Sequence, residues 1–322
     1  MFSPYGATKH YGEAIKEELI NRGAIVKGYD ERPSQKVLTK ILIRLFKKKV
    51  PQIFNNYVNR VIADNKDTAF DYILICRGEA FTPYTILLLR DAFPNTKIVL
   101  YLWDILRCAD VKDIICKCDK AMSFDPQDVA ENVGLKFRPT FYVKEYAKVK
   151  ELTPRKYDCI FIGTLHSNRH KLISFLEKSL ETQGVSLYSY LYIPSFLVYI
   201  KDFIFKFPYI SIKKVHFSPI SLRETIGVLD DSKAILDINY TTQKSLSTRA
   251  FEAMVARRKY ITTNPEVKNY DFYNPQNIAV IDFKDPKLPN GFINSPFVSV
   301  QEDLLKKYSV GGLVDDLFAD FR

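Results

Sequence analysis

The apolar positions of this chain keep two different periods, and the two alternate from end to end. Runs such as 70–76, 97–102, 121–124, 157–162 and 233–238 are short, continuous and rich in Ile, Leu, Val, Phe and Tyr, which predicts strands. Between them, apolar residues return every three or four positions. That period predicts helices over 9–21, with Gly23 as its cap, over 83–93, and from the loop at 163–167 to about 181. Further strands are expected over 185–190 and 259–262, with another helix and strand before 233. Strand, helix, strand at this spacing means parallel sheets with crossover helices.

Two stretches interrupt the alternation. At the start, 3–6 reads as a turn and 24–29 as a strand, so the chain opens with the loop that should follow a first strand. The first sheet is therefore expected to lack that strand. In the middle, RPTFYVKEYAKVKELTPRK (138–156) is charged and has no steady period, as a linker would be. The expected fold class is α/β, with two Rossmann-like doubly wound domains, 1–142 and 157–322, joined by 143–156 and facing a cleft. A chain of 322 residues is long enough for each to bury its own core.

Composition adds little to the fold but narrows the setting. Hydrophobic residues at 47% and charged residues at 26% describe an ordinary soluble globular chain. Cys76, Cys108, Cys116, Cys118 and Cys159 are odd in number and scattered, which favours reduced thiols over a disulfide framework. The C-x-C pair has no second pair or nearby histidine to make a zinc site. Residues 1–11 lack a charged start followed by an apolar run, so a cytoplasmic location is expected.

The charge is unevenly spread. Much of the net +10 lies in 32–63, which has no acidic residue. There Arg32, Lys36, Lys40, Arg44, Lys47, Lys48, Lys49 and Arg60 interleave with apolar residues in the manner of a basic amphipathic helix. Two readings stand: a helix on an anionic membrane surface, with Lys40, Arg44, Lys47, Lys48 and Lys49 facing the lipid, or a core-packed helix with a solvated basic face. No nucleic-acid motif accompanies the charge, and nucleic acid is not an expected partner. The apolar stretch 191–207 is broken by Pro194, Lys201, Asp202 and Lys206. It reads as a buried helix or as a surface that dips into a bilayer, not as a span.

Candidate chemistry gathers at the strand ends, because open parallel sheets bind ligands beyond the carboxyl ends of their strands. In the first half these ends deliver Glu79, Asp104 and Asp125. The first two are candidate catalytic acids, while Asp125, just before Pro126, also reads as a helix cap. In the second half the loop IGTLHSNRH brings Gly163, Thr164, His166, Ser167 and Arg169 to a helix start, where N–H groups and a guanidinium suit phosphate. It matches neither G-x-x-x-x-G-K-S/T nor G-x-G-x-x-G. His166 and His170 are four apart, but no third ligand is evident and no metal site is expected.

The unit on which the second half turns is QKSLSTRAFEAMVARRKYITTN (243–264). A polar turn with Gln243, Ser247 and Thr248 feeds Arg249 and Glu252 into a helix. Arg249 has the planar fork that suits phosphate oxygens and Glu252 an acceptor for sugar hydroxyls, although an Arg and a Glu three apart also make a solvated pair. Together they point to a nucleotide sugar.

Five motifs carry a resemblance to a family. They are Tyr29-Asp30-Glu31-Arg32-Pro33; Tyr101-Leu102-Trp103-Asp104; Phe161-Ile162-Gly163-Thr164 with His166 and Arg169; Ser247-Thr248-Arg249 with Phe251-Glu252; and Ile261-Thr262-Thr263-Asn264 with Asn269-Tyr270-Asp271-Phe272-Tyr273. Over nearly its whole length the chain resembles bacterial GT-B-type glycosyltransferases of surface polysaccharide (lipopolysaccharide or capsule) synthesis, in the CgeB-like group. The resemblance implies donor binding in the C-terminal half and acceptor binding in the N-terminal half, with catalysis in the cleft and no obligatory metal or cofactor. The substrate would be a nucleotide sugar, a UDP-sugar first among them, and the partner a lipid-linked glycan at the inner face of the cytoplasmic membrane. It gives Glu252 the ribose, and Arg249 with the 163–169 loop the diphosphate. Three positions depart from the family pattern. Ser245 and Ala256 stand where glycines are usual, and Lys244 stands where many retaining members carry a second glutamate. An inverting enzyme would need a base from the first half, Asp104 or Glu79. A non-catalytic nucleotide- or carbohydrate-binding protein and a nucleotide-sugar epimerase are the alternatives on the same fold.

Overall fold

The computed structural model describes residues 1–5, 9–34, 51–106, 111–151, 154–165, 169–193, 196, 199–200, 212–239 and 244–321. The chain forms two compact units. The first gathers 1–140, 243–245 and 310–322, and the second 141–242 and 246–309.

The first unit contains β1 (Phe2–Ser3), α1 (Lys9–Asn21), β2 (Tyr29–Asp30), α2 (Pro51–Ala63), β3 (Tyr72–Cys76), α3 (Pro83–Ala92), β4 (Lys97–Leu102), α4 (Lys112–Ile115), β5 (Lys120–Ser123), α5 (Pro126–Glu131) and β6 (Leu135–Phe137). All pairings are parallel, in the order β2-β1-β3-β4-β5-β6. The first strand is therefore present, contrary to expectation. Two residues suffice because Phe2 is buried and meets Phe81 edge-on at 5.2 Å, with Phe81 in turn against Phe54 at 5.0 Å. The strand expected over 24–29 shrinks to Tyr29–Asp30. Ile25 is 96% exposed, and its apolar side chain does no packing.

Local chemistry fixes the helix starts. Thr82 and Thr85 form a reciprocal capping box ahead of α3, with Pro83 in its first turn. Asp125 accepts from the Gln127 and Asp128 amides at 2.9 and 3.3 Å, so it caps α5. Of the basic run, the described part forms α2, whose Phe54, Val58 and Val61 enter the core; Lys40, Arg44, Lys47, Lys48 and Lys49 lie outside the described residues.

The second unit contains β7 (Tyr157–Thr164), α6 (Arg169–Thr182), β8 (Leu187–Tyr192), β9 (Val215–His216), α7 (Leu222–Asp230), β10 (Ser232–Asp237), α8 (Thr248–Val255), β11 (Lys259–Thr262), β12 (Ile278–Val280) and α9 (Glu302–Lys307). Its sheet is parallel, in the order β12-β11-β10-β7-β8-β9. Leu191 and Tyr192 finish β8 instead of opening a helix, while 194–195, 197–198 and 201–211 lie outside the described residues. Among the described residues no helix is long and apolar enough to cross a membrane.

The stretch read as a linker packs into this second unit. Phe141, Tyr142, Val143 and Tyr146 are buried, with a short 3₁₀ helix at Lys144–Lys148. Tyr142 donates its hydroxyl to the Leu305 carbonyl at 2.9 Å. Fully buried Arg258 donates to the Lys150 carbonyl and, at 2.9 and 3.0 Å, to the carbonyls of Leu229 and Ala256. The last two lie at the carboxyl ends of α7 and α8, where the helix dipoles favour a cation.

After the second unit the chain returns to the first as α10 (Val310–Phe318). Arg22 grips Asp315 at 2.7 Å, Arg138 pairs with Asp316 at 2.6 Å, and Lys120 and Lys136 meet Asp320 at 3.0 and 2.7 Å. Phe318 sets its ring edge-on against Tyr72 at 4.8 Å.

Candidate functional site

Each sheet reverses its winding once, and the candidate side chains collect at the strand ends around those reversals. In the first unit the chain steps from β1 outward to β2, then back across to β3. Crevices at such points, beyond the carboxyl ends, are where doubly wound sheets hold ligands. The ends of β2, β3 and β4 deliver Glu31 and Arg32, then Arg77, Gly78 and Glu79, then Asp104.

These residues make one ionic cluster. Arg77 joins Asp104 at 2.5 Å through Nε and Glu79 at 3.3 Å through Nη2, and Arg32 closes on the other side of Glu79. Glu79 is thus buried between two guanidiniums, whereas the Asp104 side chain is 38% exposed. Of the two candidate acids, Asp104 is the one that solvent can reach.

Arg77 occupies a left-handed backbone conformation, with φ of 81°, uncommon for any residue but glycine. Gly78 follows at φ 77°, and a Cβ there would lie 3.0 Å from the Leu100 side chain and 3.2 Å from that of Ile114. The turn that aims Arg77 is therefore strained at one residue and fits only glycine at the next.

Behind it Glu31 is 1% exposed. One carboxyl oxygen meets only the Ala80 amide, at 3.4 Å, and the other has no hydrogen-bond partner. Burial, outweighing the pull of Arg77, raises its pKa to about 8. Asp125 is fully committed: besides capping α5 it accepts from the Ser245 amide at 3.1 Å.

In the second unit the reversal lies between β7 and β10. Gly163 and Thr164 are the last residues of β7, paired with Leu191 and Tyr192 of β8. Arg169 opens α6, but its side chain, together with His166, Ser167 and Gln243, lies outside the described residues. Beyond β10 the turn into α8 is well braced. Ser247 caps the helix through the Arg249 amide at 3.2 Å and donates its hydroxyl to Asp237 at 2.8 Å, and Tyr260 donates to the same Asp237 oxygen at 2.7 Å. Thr248 and Arg249 then begin α8.

Arg249 and Glu252 are joined, Nη1 to Oε2 at 2.5 Å. The guanidinium is 23% exposed and the carboxylate 0%, so the pair shows its cation and hides its anion. The buried Tyr146 hydroxyl lies 3.4 Å from the same Nη1 and is hydrogen-bonded to Glu252. Burial and the Glu252 charge hold this phenol above its ordinary pKa. Helix α8 rests on Phe251, which meets Phe272 at 5.6 Å and Tyr308 at 4.9 Å, while Asp271 accepts from the Tyr308 hydroxyl at 2.6 Å. The 269–273 motif thus supports the site from beneath.

Sequence reasoning missed Asp237, Tyr146 and the bridging role of Arg77. Asp237 was legible as the polar end of an apolar strand; Tyr146 sat in a segment with no period. Among the described residues no three His, Cys, Asp or Glu side chains gather into a metal-binding group.

No family model and no curated protein matches the chain. Solved structures do. The apo lipopolysaccharide outer core galactosyltransferase WaaB superposes with a TM-score of 0.53 at 11% identity, covering 99% of this chain and 98% of that one. HepE (Alr3699) from Anabaena, in complex with UDP and glucose, gives 0.56 at 11% identity, also over 99% and 98%. The fold is GT-B. Each of the two units brings one set of strand ends, and the two clusters above lie at those ends.

Proposed function

We propose that the protein is a glycosyltransferase that moves a sugar from a nucleotide-diphosphate donor, a UDP-sugar first, to a hydroxyl of a lipid-linked surface glycan. The observation that carries the reading is Arg249, presented at the start of α8 beside the β7/β10 reversal, with its carboxylate partner hidden behind it. A helix N-terminus and a guanidinium together make a site for a diphosphate. The shared fold with WaaB and with the UDP complex of HepE supports it.

Each unit, taken by itself, offers groups suited to one part of this chemistry. An acceptor hydroxyl oxygen bonds to the anomeric carbon as the bond to the donor diphosphate breaks. The hydroxyl proton passes to Asp104, held by Arg77. Arg249, with Thr164 and the loop to Arg169, stabilises the leaving diphosphate, which removes the need for a metal ion. Such a single displacement inverts the anomeric centre. The basic run around Lys40, Arg44 and Lys47 to Lys49 supports placement on the inner face of an anionic membrane, where a lipid-linked acceptor would be met.

The test is a thermal-shift screen with UDP, GDP, CDP and TDP, followed by turnover of the stabilising nucleotide's sugars with and without glycan acceptors. A shift with UDP and acceptor-dependent turnover in excess chelator is expected. Donor turnover without acceptor would mark an epimerase, and no shift with any nucleotide would leave a binding protein without a donor site. Liposome pelleting that ignores charge reversal at Lys47, Lys48 and Lys49 would remove the membrane assignment.

A further inference from the structure

We propose that an aromatic patch at the β8/β9 edge of the second unit docks on an anionic lipid bilayer, with Phe196, Ile200 and Phe217 entering the boundary between headgroups and acyl chains. The proposal rests on the membrane placement given above, not on the donor site. It gives the second unit a lipid contact of its own.

Composition comes first. From Leu191 to Phe217 the chain carries four lysines, Lys201, Lys206, Lys213 and Lys214, against one acid, Asp202, and most of the rest is Phe, Tyr, Ile, Leu and Val. Rings mixed with lysines settle at a bilayer surface, where the aromatic side chains sit at headgroup level and each cation near anionic lipid adds to binding.

The described residues of this stretch show the rings held together. Phe196, Tyr199 and Ile200 are helical, and positions three and four apart share one side of a helix. Phe217 directly follows the edge strand β9. It meets Phe196 edge-on at 5.4 Å and Tyr199 at 5.8 Å, while Phe196 lies 6.3 Å from Tyr199. Tyr199 is buried in the core with Leu191 and Val215, whereas Phe196 is 53%, Ile200 41% and Phe217 38% exposed. Tyr199 thus anchors a patch whose other members reach water together, and a contiguous apolar surface, unlike a single exposed side chain, marks a contact. The charge selects the occupant. Lys214 is paired with Glu177, but Lys213 is exposed four residues before Phe217. A second copy of the chain would set like charges against each other; anionic headgroups answer them.

The test follows the rings into lipid. Phe196→Trp, Phe217→Trp and, as a control, Val133→Trp at a fully exposed turn of the first unit are each made in a Trp103→Phe chain, which has no other tryptophan. On vesicles of phosphatidylcholine with phosphatidylglycerol, emission from the first two should move to the blue and escape iodide quenching, while the control stays as in water. In pelleting, Phe196→Ser and Phe217→Ser should each lower vesicle partition about tenfold, the loss of one ring from lipid. Lys213→Glu should lower it only where phosphatidylglycerol is present. Tryptophans at 196 and 217 that stay in water on vesicles the chain does bind, or serine variants that pellet like the wild type, would overturn the proposal and leave the basic run around Lys47 as the membrane contact. A blue shift that needs no vesicles and grows with protein concentration would overturn it in favour of a second copy. Should a serine variant fail to fold, the tryptophan variants, which keep a ring, decide between the same outcomes. A wild type that pellets with neither kind of vesicle defeats the membrane placement itself, and is seen before any variant is compared.

Discussion

The two strand-end clusters are built from the same residue types with the roles exchanged. In the first unit Arg77 is mostly covered, 16% exposed, and holds out Asp104, 38% exposed. In the second Glu252 is covered and holds out Arg249. Each buried partner neutralises and steers the group in front of it, so one sheet presents an anion and the other a cation. A base needs the first arrangement and a diphosphate the second. Topology therefore places a candidate site, and which ionic partner is nearer the solvent decides which charge it presents.

The largest expected effect comes from removing the presented anion. Asp104→Asn keeps the shape and the Arg77 contact but takes no proton, and kcat should fall by about 10²- to 10⁴-fold with donor affinity unchanged. Glu79→Gln, behind two guanidiniums, should cost far less; equal losses in steady-state kinetics would break the distinction between the two acids.

Next is the buried acid behind the first cluster. Glu31 holds its proton in the folded state up to about pH 8, whereas the unfolded chain releases it near the ordinary value of 4.5. Between those values the unfolded state binds fewer protons, so stability falls as pH rises, with a slope of up to about 1.4 kcal/mol per unit. The charged groups facing it are Arg77, Glu79 and Arg32. Glu31→Gln should remove that slope and raise stability at pH 8 more than at pH 5. Urea unfolding at the two pH values checks it, and parallel wild-type and variant profiles would refute it.

The presented cation comes third. Arg249→Ala should weaken UDP by about 30-fold, roughly 2 kcal/mol for a charge-assisted contact, as calorimetry would read. The smallest effect concerns the brace beneath it. Ser247→Ala loses the cap of α8 and the bond to Asp237 and should cost about 1 kcal/mol. Denaturant unfolding that shows no change would mean Tyr260 holds Asp237 and the turn alone.

Much of the fold was legible because long apolar periods survive any tertiary context. Helix α1 and strand β11 match their expected bounds. What failed was short or non-local. Phe2–Ser3 is too brief to carry a period, and only Phe81 and Phe54, far along the chain, make it a strand. Residues 24–28 had the right composition but no neighbour to bury them. Within the site, Arg249, Glu252, Glu79 and Asp104 announced themselves as polar residues where apolar runs end. Their ranking by exposure could not be read, because it depends on Arg77 adopting a positive φ and on Tyr146 arriving from 103 residues away. The return of α10 was equally hidden, since Lys120 and Arg138 look like any surface cations until Asp316 and Asp320 are placed beside them.

That return also sets an order of events during synthesis. The first unit is nearly all translated before the second begins, yet buried Lys120 and Arg138 meet Asp320 and Asp316 only once residues 310–322 emerge. A nascent first unit therefore waits through the making of about 170 residues of the second with cations and the Tyr72 ring uncovered. It is locked only when α10 leaves the ribosome.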